Sequence, residues 1–88
     1  MNFDELRQNM VDLQLVRRGI RDPRVLAAIG SVPRELFVPD MLRPNAYDDC
    51  ALPIGFEQTI SQPYTVAFMC QEARIAGTDR VLEIGTGS

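Results

Sequence analysis

The sequence predicts an incomplete α/β unit, mostly helical as present: a cap of short helices, then one buried parallel strand running into a glycine turn. Three observations carry that expectation. Apolar residues recur at helical spacing from Phe3 to Val16. Pro23, Pro33 and Pro63 each open a helical stretch. Near the C-terminal end, Val81-Leu82-Glu83-Ile84 leads into Gly85-Thr86-Gly87. The expected organisation is a helical cap region over 1–50, a ligand-facing loop over 51–64, and a first helix and first strand over 65–88.

The totals narrow the class. The chain has 88 residues, 45% hydrophobic and 24% charged, which is one small domain or part of a larger one rather than a disordered segment. The net charge is −3, and the nine basic residues are all arginine, scattered apart from Arg17-Arg18. No basic stripe is present for nucleic acid. Histidine is absent, which excludes Ser-His-Asp and Cys-His chemistry within these residues. Cys50 and Cys70 form no Cys-x-x-Cys pair and imply no metal site; reduced thiols are expected. No apolar run is long enough to span a membrane, and a soluble, cytoplasmic protein is expected.

In chain order, Phe3, Leu6, Met10, Leu13 and Val16 define the inner side of a helix over 3–18. Asp4 and Glu5 in its first turn and Arg17-Arg18 in its last suit the helix dipole, and Gly19 ends it. Asp22 caps a second helix with Pro23 at its first position; Val25, Leu26 and Ile29 face inward, and it ends near Gly30. Pro33 opens another turn, with Leu36, Phe37 and Val38 packing inward and Pro39 closing it. Residues 40–49 read as a polar loop around Pro44-Asn45, with Tyr47 its one large apolar side chain late in the stretch. Asp48-Asp49 lacks a third ligand for a metal. Ala51-Leu52-Pro53-Ile54 is an edge strand, Gly55 turns, and Gln58-Thr59-Ile60 returns. Pro63 opens a helix to about Ala76, with Val66, Met69, Cys70 and Ala73 inside and Gly77 as its stop.

Two stretches carry chemistry. In an extended chain, Thr59 and Ser61 point to one side and Ile60 to the other. Two hydroxyls on one side suit a carboxylate or phosphate; the plainer reading makes Ser61 an N-cap ahead of Pro63. The Gly85-Thr86-Gly87 turn allows close backbone approach to a nucleoside or phosphate but lacks the Gly-Lys-Ser/Thr of a P-loop. Glu83 ahead of it suits a positively charged cofactor better than a pyrophosphate, which is the pattern of Rossmann-like S-adenosylmethionine-dependent methyltransferases. A dinucleotide-binding turn, or Glu83 paired with an arginine, are the alternatives.

At this point a resemblance becomes specific. Val32-Pro33-Arg34-Glu35-Leu36-Phe37-Val38, Ala46-Tyr47-Asp48-Asp49 and Ala51-Leu52-Pro53-Ile54-Gly55 occur in order. Gln58-Thr59-Ile60-Ser61-Gln62-Pro63-Tyr64 and Arg80-Val81-Leu82-Glu83-Ile84-Gly85-Thr86-Gly87-Ser88 follow them. Together they resemble the N-terminal part of the protein-L-isoaspartate (D-aspartate) O-methyltransferases. The resemblance implies methyl transfer from S-adenosyl-L-methionine to the α-carboxylate of L-isoaspartyl and D-aspartyl residues of damaged proteins, for repair. It implies Ser61 as the residue that orients the carboxylate, with Thr59 assisting. Gln58, Thr59 and Ile60 would line the cofactor from the loop, and Glu83, Gly85, Thr86 and Gly87 would form its turn. The implied partners are isoaspartyl peptides and proteins, with neither nucleic acid nor membrane. One departure is Glu57, where the family usually has glycine. The 88 residues alone are expected to be inactive, because later strands and a ribose-binding acid lie outside them. The competing expectations are a non-catalytic module that self-associates through strand 81–84, and a nicotinamide-binding fragment.

Overall fold

The side-chain oxygen of Asn2 accepts the Glu5 N–H at 3.1 Å and so starts the first helix, a cap that satisfies one of the donors a helix leaves free. The computed structural model describes all 88 residues. Helix α1, Phe3–Met10, continues without a break into a π-helical turn over Val11–Val16. There the bonds span five residues, Arg17 N–H to the Asp12 carbonyl at 3.3 Å and Ile20 N–H to the Leu15 carbonyl at 3.0 Å. The wider turn delays the inner face by about one position. Val11 and Leu15 therefore enter the core, while Leu13 and Val16, expected inside, are each 49% exposed.

Helix α2, Pro23–Ser31, begins as its sequence requires, with Asp22 accepting the Arg24 N–H at 2.9 Å and proline in the first turn. Val25, Leu26 and Ile29 pack against the core as expected. A 3-10 turn over Arg34–Phe37 corrects the next expectation. Val38 is buried, but Leu36 and Phe37 are exposed, and Arg34 and Glu35 take the inside positions. The tighter 3-10 repeat changes which residues of the run face in. The 40–49 loop is also partly helical, a 3-10 turn over Asp40–Asn45.

Strands β1, Leu52–Gly55, and β2, Gln58–Ile60, form the expected hairpin, antiparallel with Leu52 opposite Ile60, Pro53 opposite Thr59 and Gly55 opposite Gln58. Its two-residue tip, Phe56-Glu57, has φ of 52° and 59°. Positive φ at both positions is the primed turn that matches strand twist, and it normally takes Asn or Gly. A side chain in this left-handed region costs about 1 kcal/mol. Glu57→Gly is thus expected to raise stability by about 0.5–1 kcal/mol in urea unfolding; a loss would mean that the tip relaxes without strain.

Helix α3, Pro63–Ala73, ends earlier than expected, because Arg74 rather than Gly77 takes the left-handed cap position, at φ 52°. Its inner face is Pro63 and Ala67, and Met69, Cys70 and Ala73 lie outside. The helix is apolar on several sides, so spacing does not select a face; the small side chains win because they let α3 approach its neighbours closely. The Gln71 side-chain oxygen ties α3 to the start of α2, accepting the N–H groups of Arg21 at 2.7 Å and Asp22 at 2.9 Å.

The core joins Met10, Val11, Leu15 and Ile20 from the first helical run to Val38, Ala46, Tyr47, Leu52 and Ala67. Residues 81–84, read as a buried parallel strand, form none: Val81, Leu82 and Ile84 are 65%, 85% and 88% exposed. A strand exists only through its ladder partners, and the sole ladder here is β1 with β2. The sheet present is antiparallel. No helix is long and apolar enough to cross a membrane.

Candidate functional site

β2 ends at Ile60 and α3 begins at Pro63, so Ser61-Gln62 is a two-residue joint between them. The extended backbone puts Thr59 and Ser61 on the exposed side, while half-buried Ile60 packs against the core. The N-cap position of α3 falls to Gln62, with no side-chain capping bond, so the Ser61 hydroxyl is not used as a cap.

The joint is held from both sides. Arg34, buried, donates from Nη2 to the Ser61 carbonyl at 2.8 Å and from Nε to the Ala46 carbonyl at 2.5 Å. Gln62 donates from Nε2 to Asp49 Oδ1 at 2.6 Å, and Arg18 pairs with both Asp49 oxygens. Arg18 also lies over the Tyr64 ring, 5.7 Å from its centroid. Asp49 is thus a partner of arginine and glutamine, and no acidic cluster is placed to hold a metal.

Behind Arg34 lies a polar network organised by Tyr47. Its hydroxyl donates to Glu35 Oε1 at 2.5 Å and accepts from Arg7 Nε at 2.8 Å and from the Arg34 N–H at 3.1 Å. Arg7 Nη2 pairs with Glu35 Oε1 at 3.1 Å. Burial pushes the Tyr47 hydroxyl above its ordinary 10.0, helped by the Glu35 bond. Burial also pushes Glu35 up, but its bonds from Tyr47, from the backbone and from Arg7 outweigh this and leave it below 4.5. The Gln62 bond, then Arg18, holds Asp49 below 3.8. Burial lowers the Arg34 guanidinium below its ordinary value.

The signs set a pH window. Depressed carboxylates stabilise the fold above their unfolded values, and that contribution is lost as pH falls through the folded ones. The raised tyrosine stabilises below 10.0, and its contribution is lost as pH rises through its folded value. The melting temperature is therefore expected to be level near neutrality, to fall below about pH 4 and to fall again above about pH 10. Tyr47→Phe should remove much of the alkaline fall, and an unchanged alkaline profile would exclude Tyr47 as its source.

In front of the joint is an open cleft of about 1230 Å³. Gln58, Thr59, Ile60 and Ser61 border it, and so do Glu83, Gly85, Thr86 and Gly87. Every site residue expected from the sequence therefore borders one space, although the 81–84 segment is not a strand. Gly85 and Gly87 have φ of 78° and 81°, and a side chain at Gly87 would meet Ile54 Cδ1 at 3.7 Å, so the glycine turn lies beside β1. At Gly85 nothing lies within 4 Å of where a Cβ would stand, which leaves the backbone open to a ligand. Glu83 forms no ion pair with any arginine, against the paired alternative. An exposed carboxylate beside open glycine backbone fits a cationic nucleoside cofactor.

Sequence reasoning missed Arg34, Glu35, Asp49 and the polar role of Tyr47. The one local signal was two adjacent charged residues, Arg34-Glu35, inside a proline-bounded apolar run.

Comparison with known proteins gives consistent matches. The family model described as "Protein-L-isoaspartate(D-aspartate) O-methyltransferase (PCMT)" matches residues 5–88. A protein-L-isoaspartate O-methyltransferase of Synechococcus sp. is 64% identical over 86 residues, covering 98% of this chain and 35% of the relative. One from Desulfosudis oleivorans is 61% identical over 82 residues, covering 93% and 37%. Protein-L-isoaspartate O-methyltransferase 1 of Syntrophobacter fumaroxidans is 54% identical over 88 residues, covering 100% and 41%. The chain thus spans between a third and about two fifths of the length of the curated relatives it matches.

Proposed function

The chain belongs to the protein-L-isoaspartate(D-aspartate) O-methyltransferase family, and on that premise we propose that it contributes one wall of a methyl-transfer site for damaged protein. The substrate is the free α-carboxylate of an L-isoaspartyl or D-aspartyl residue, and the product is its methyl ester. The observation that supports this reading is the convergence of Gln58–Ser61 and Glu83–Gly87 on one cleft.

The chemistry matches the residues. A carboxylate is ionised at neutral pH, so no general base is needed and the lack of histidine is no obstacle. What remains is alignment of the carboxylate oxygen with the methyl carbon. Ser61 donates a hydrogen bond to one carboxylate oxygen, and Thr59, on the same side, supports it. S-adenosylmethionine supplies the methyl group on a positively charged sulfur. Gly85, Thr86 and Gly87 would offer it backbone, Gln58, Thr59 and Ile60 would line it from the loop, and Glu83 would provide a compensating negative charge. With the carboxylate oxygen held by Ser61, the bound cofactor would supply its methyl group to that oxygen, leaving the C–S electron pair on sulfur. We place the protein in the cytoplasm, where the two exposed free thiols, Cys50 and Cys70, stay reduced.

The test is radiolabelled methyl transfer to an isoaspartyl peptide. The protein is the Synechococcus relative carrying this chain in place of its 86 matching residues. It should methylate the peptide, and Ser61→Ala should lower kcat/KM about 100-fold. The 88 residues alone should show less than about a tenth of that turnover, since one wall cannot align two reactants. A folded exchange protein with no methyl transfer would refute the assignment.

A further inference from the structure

We infer that Arg34 is a positioning residue for the methyl-transfer site, acting through the main chain of Ser61, with Asp49 holding the other half of the joint. The inference rests on the role proposed for Ser61.

Arg34 is 9% exposed and pairs with no carboxylate, so its charge is buried without a counterion. Such a group is costly unless its donors are engaged. They are engaged by main-chain carbonyls: Nε on Ala46 and Nη2 on Ser61, fifteen residues apart in sequence, joined across one rigid guanidinium plane. The base of Arg34 is fixed as well, its N–H resting on the Tyr47 hydroxyl at 3.1 Å. Lysine cannot reproduce this arrangement, since an ammonium has no fixed fork.

The consequence falls on Ser61. Its carbonyl is held by Arg34, and the next side chain, Gln62, is held by Asp49 at 2.6 Å. With the carbonyl and the following residue both held, rocking of the Ser61–Gln62 peptide plane is restrained, and on the other side Ile60 is held in the ladder opposite Leu52. Restraint on both sides of Ser61 limits the direction of its Cα–Cβ bond, while the hydroxyl remains free to turn toward a carboxylate. An orienting hydroxyl needs that combination, because alignment errors near 1 Å are enough to slow a reaction about 100-fold. Both points of the clamp depend on residues 46–49, since Ala46 accepts from Arg34 and Asp49 from Gln62.

The experiment is a double-mutant cycle in the exchange protein used for the methyl-transfer assay. Arg34→Lys is expected to lower kcat/KM for the isoaspartyl peptide about tenfold when Ser61 is present, and less than about twofold in the Ser61→Ala background. Equal losses in both backgrounds would overturn the inference, because a residue that only supports the fold acts regardless of the Ser61 hydroxyl. Should Arg34→Lys not fold, the exposed Asp49→Ala loosens the same joint with little cost to packing, and it should show the same dependence on Ser61. Additivity there overturns the inference equally. If Ser61→Ala alone leaves methyl transfer unchanged, the proposed role of Ser61 is what fails.

Discussion

Glu35→Ala is expected to destabilise the chain by about 2–3 kcal/mol, measured by equilibrium urea unfolding near pH 7. The Glu35 and Arg7 side chains are each 11% exposed and lie 3.1 Å apart. Tyr47 donates to the same carboxylate at 2.5 Å. Removing the carboxylate leaves the Tyr47 hydroxyl without its acceptor and Arg7 with only the exposed Asp4 as its counterion, and losing a partner in a place with little water costs more than the net worth of the pair itself. The cost is large against the 5–15 kcal/mol typical of a whole domain. Tyr47→Phe should cost less, about 1–2 kcal/mol, because Arg7 and Glu35 still meet without it. The double variant should fall short of the sum by at least about 1 kcal/mol. The deficit of Glu35→Ala should also shrink below about pH 4, where the depressed carboxyl takes up its proton. A loss under about 1 kcal/mol at neutral pH would mean that water reaches the network freely.

Leu15→Ala is expected to cost about 3 kcal/mol, and Leu13→Ala less than about 1 kcal/mol. Leu15 is fully buried, while Leu13 is 49% exposed. A continuous α-helix starting at Phe3 reverses that order, because it directs Leu13 inward. The pair therefore reads out the π-helical turn over Val11–Val16 directly. If Leu13→Ala proved the costlier change, the helix would run in α register past Met10.

Features set by near neighbours were legible in the sequence. Asp22-Pro23 starts α2 because an N-cap oxygen and a preset φ act within three residues. The hairpin was readable from the Gly55 turn and the two short strands beside it, and Pro63 marked the start of α3. The expected site residues were chosen on strand alternation, glycine-turn and charge chemistry and the order of the motifs, and they border the same cleft.

Faces and long-range partners were not legible. Periodicity assigned Leu13, Val16, Leu36, Met69 and Cys70 to the inside, yet all five are exposed. Three of these assignments, Leu13, Val16 and Leu36, failed where the chain left α geometry. The two on α3 failed because several sides of that helix are apolar and only a neighbour can choose between them. Val81–Ile84 has the composition of a buried strand, but composition supplies no ladder partner.

What the sequence by itself determined was where elements begin and turn, and which motifs stand in which order, because caps, prolines and positive-φ turns act over a few bonds. Only the tertiary structure decided which side of each element is buried. It alone brought Arg34 to the Ser61 carbonyl 27 residues away, and Arg7 to Tyr47 across 40. The physical reason is that a buried charge is tolerated only where its donors meet acceptors, and those acceptors are assembled by packing between distant segments.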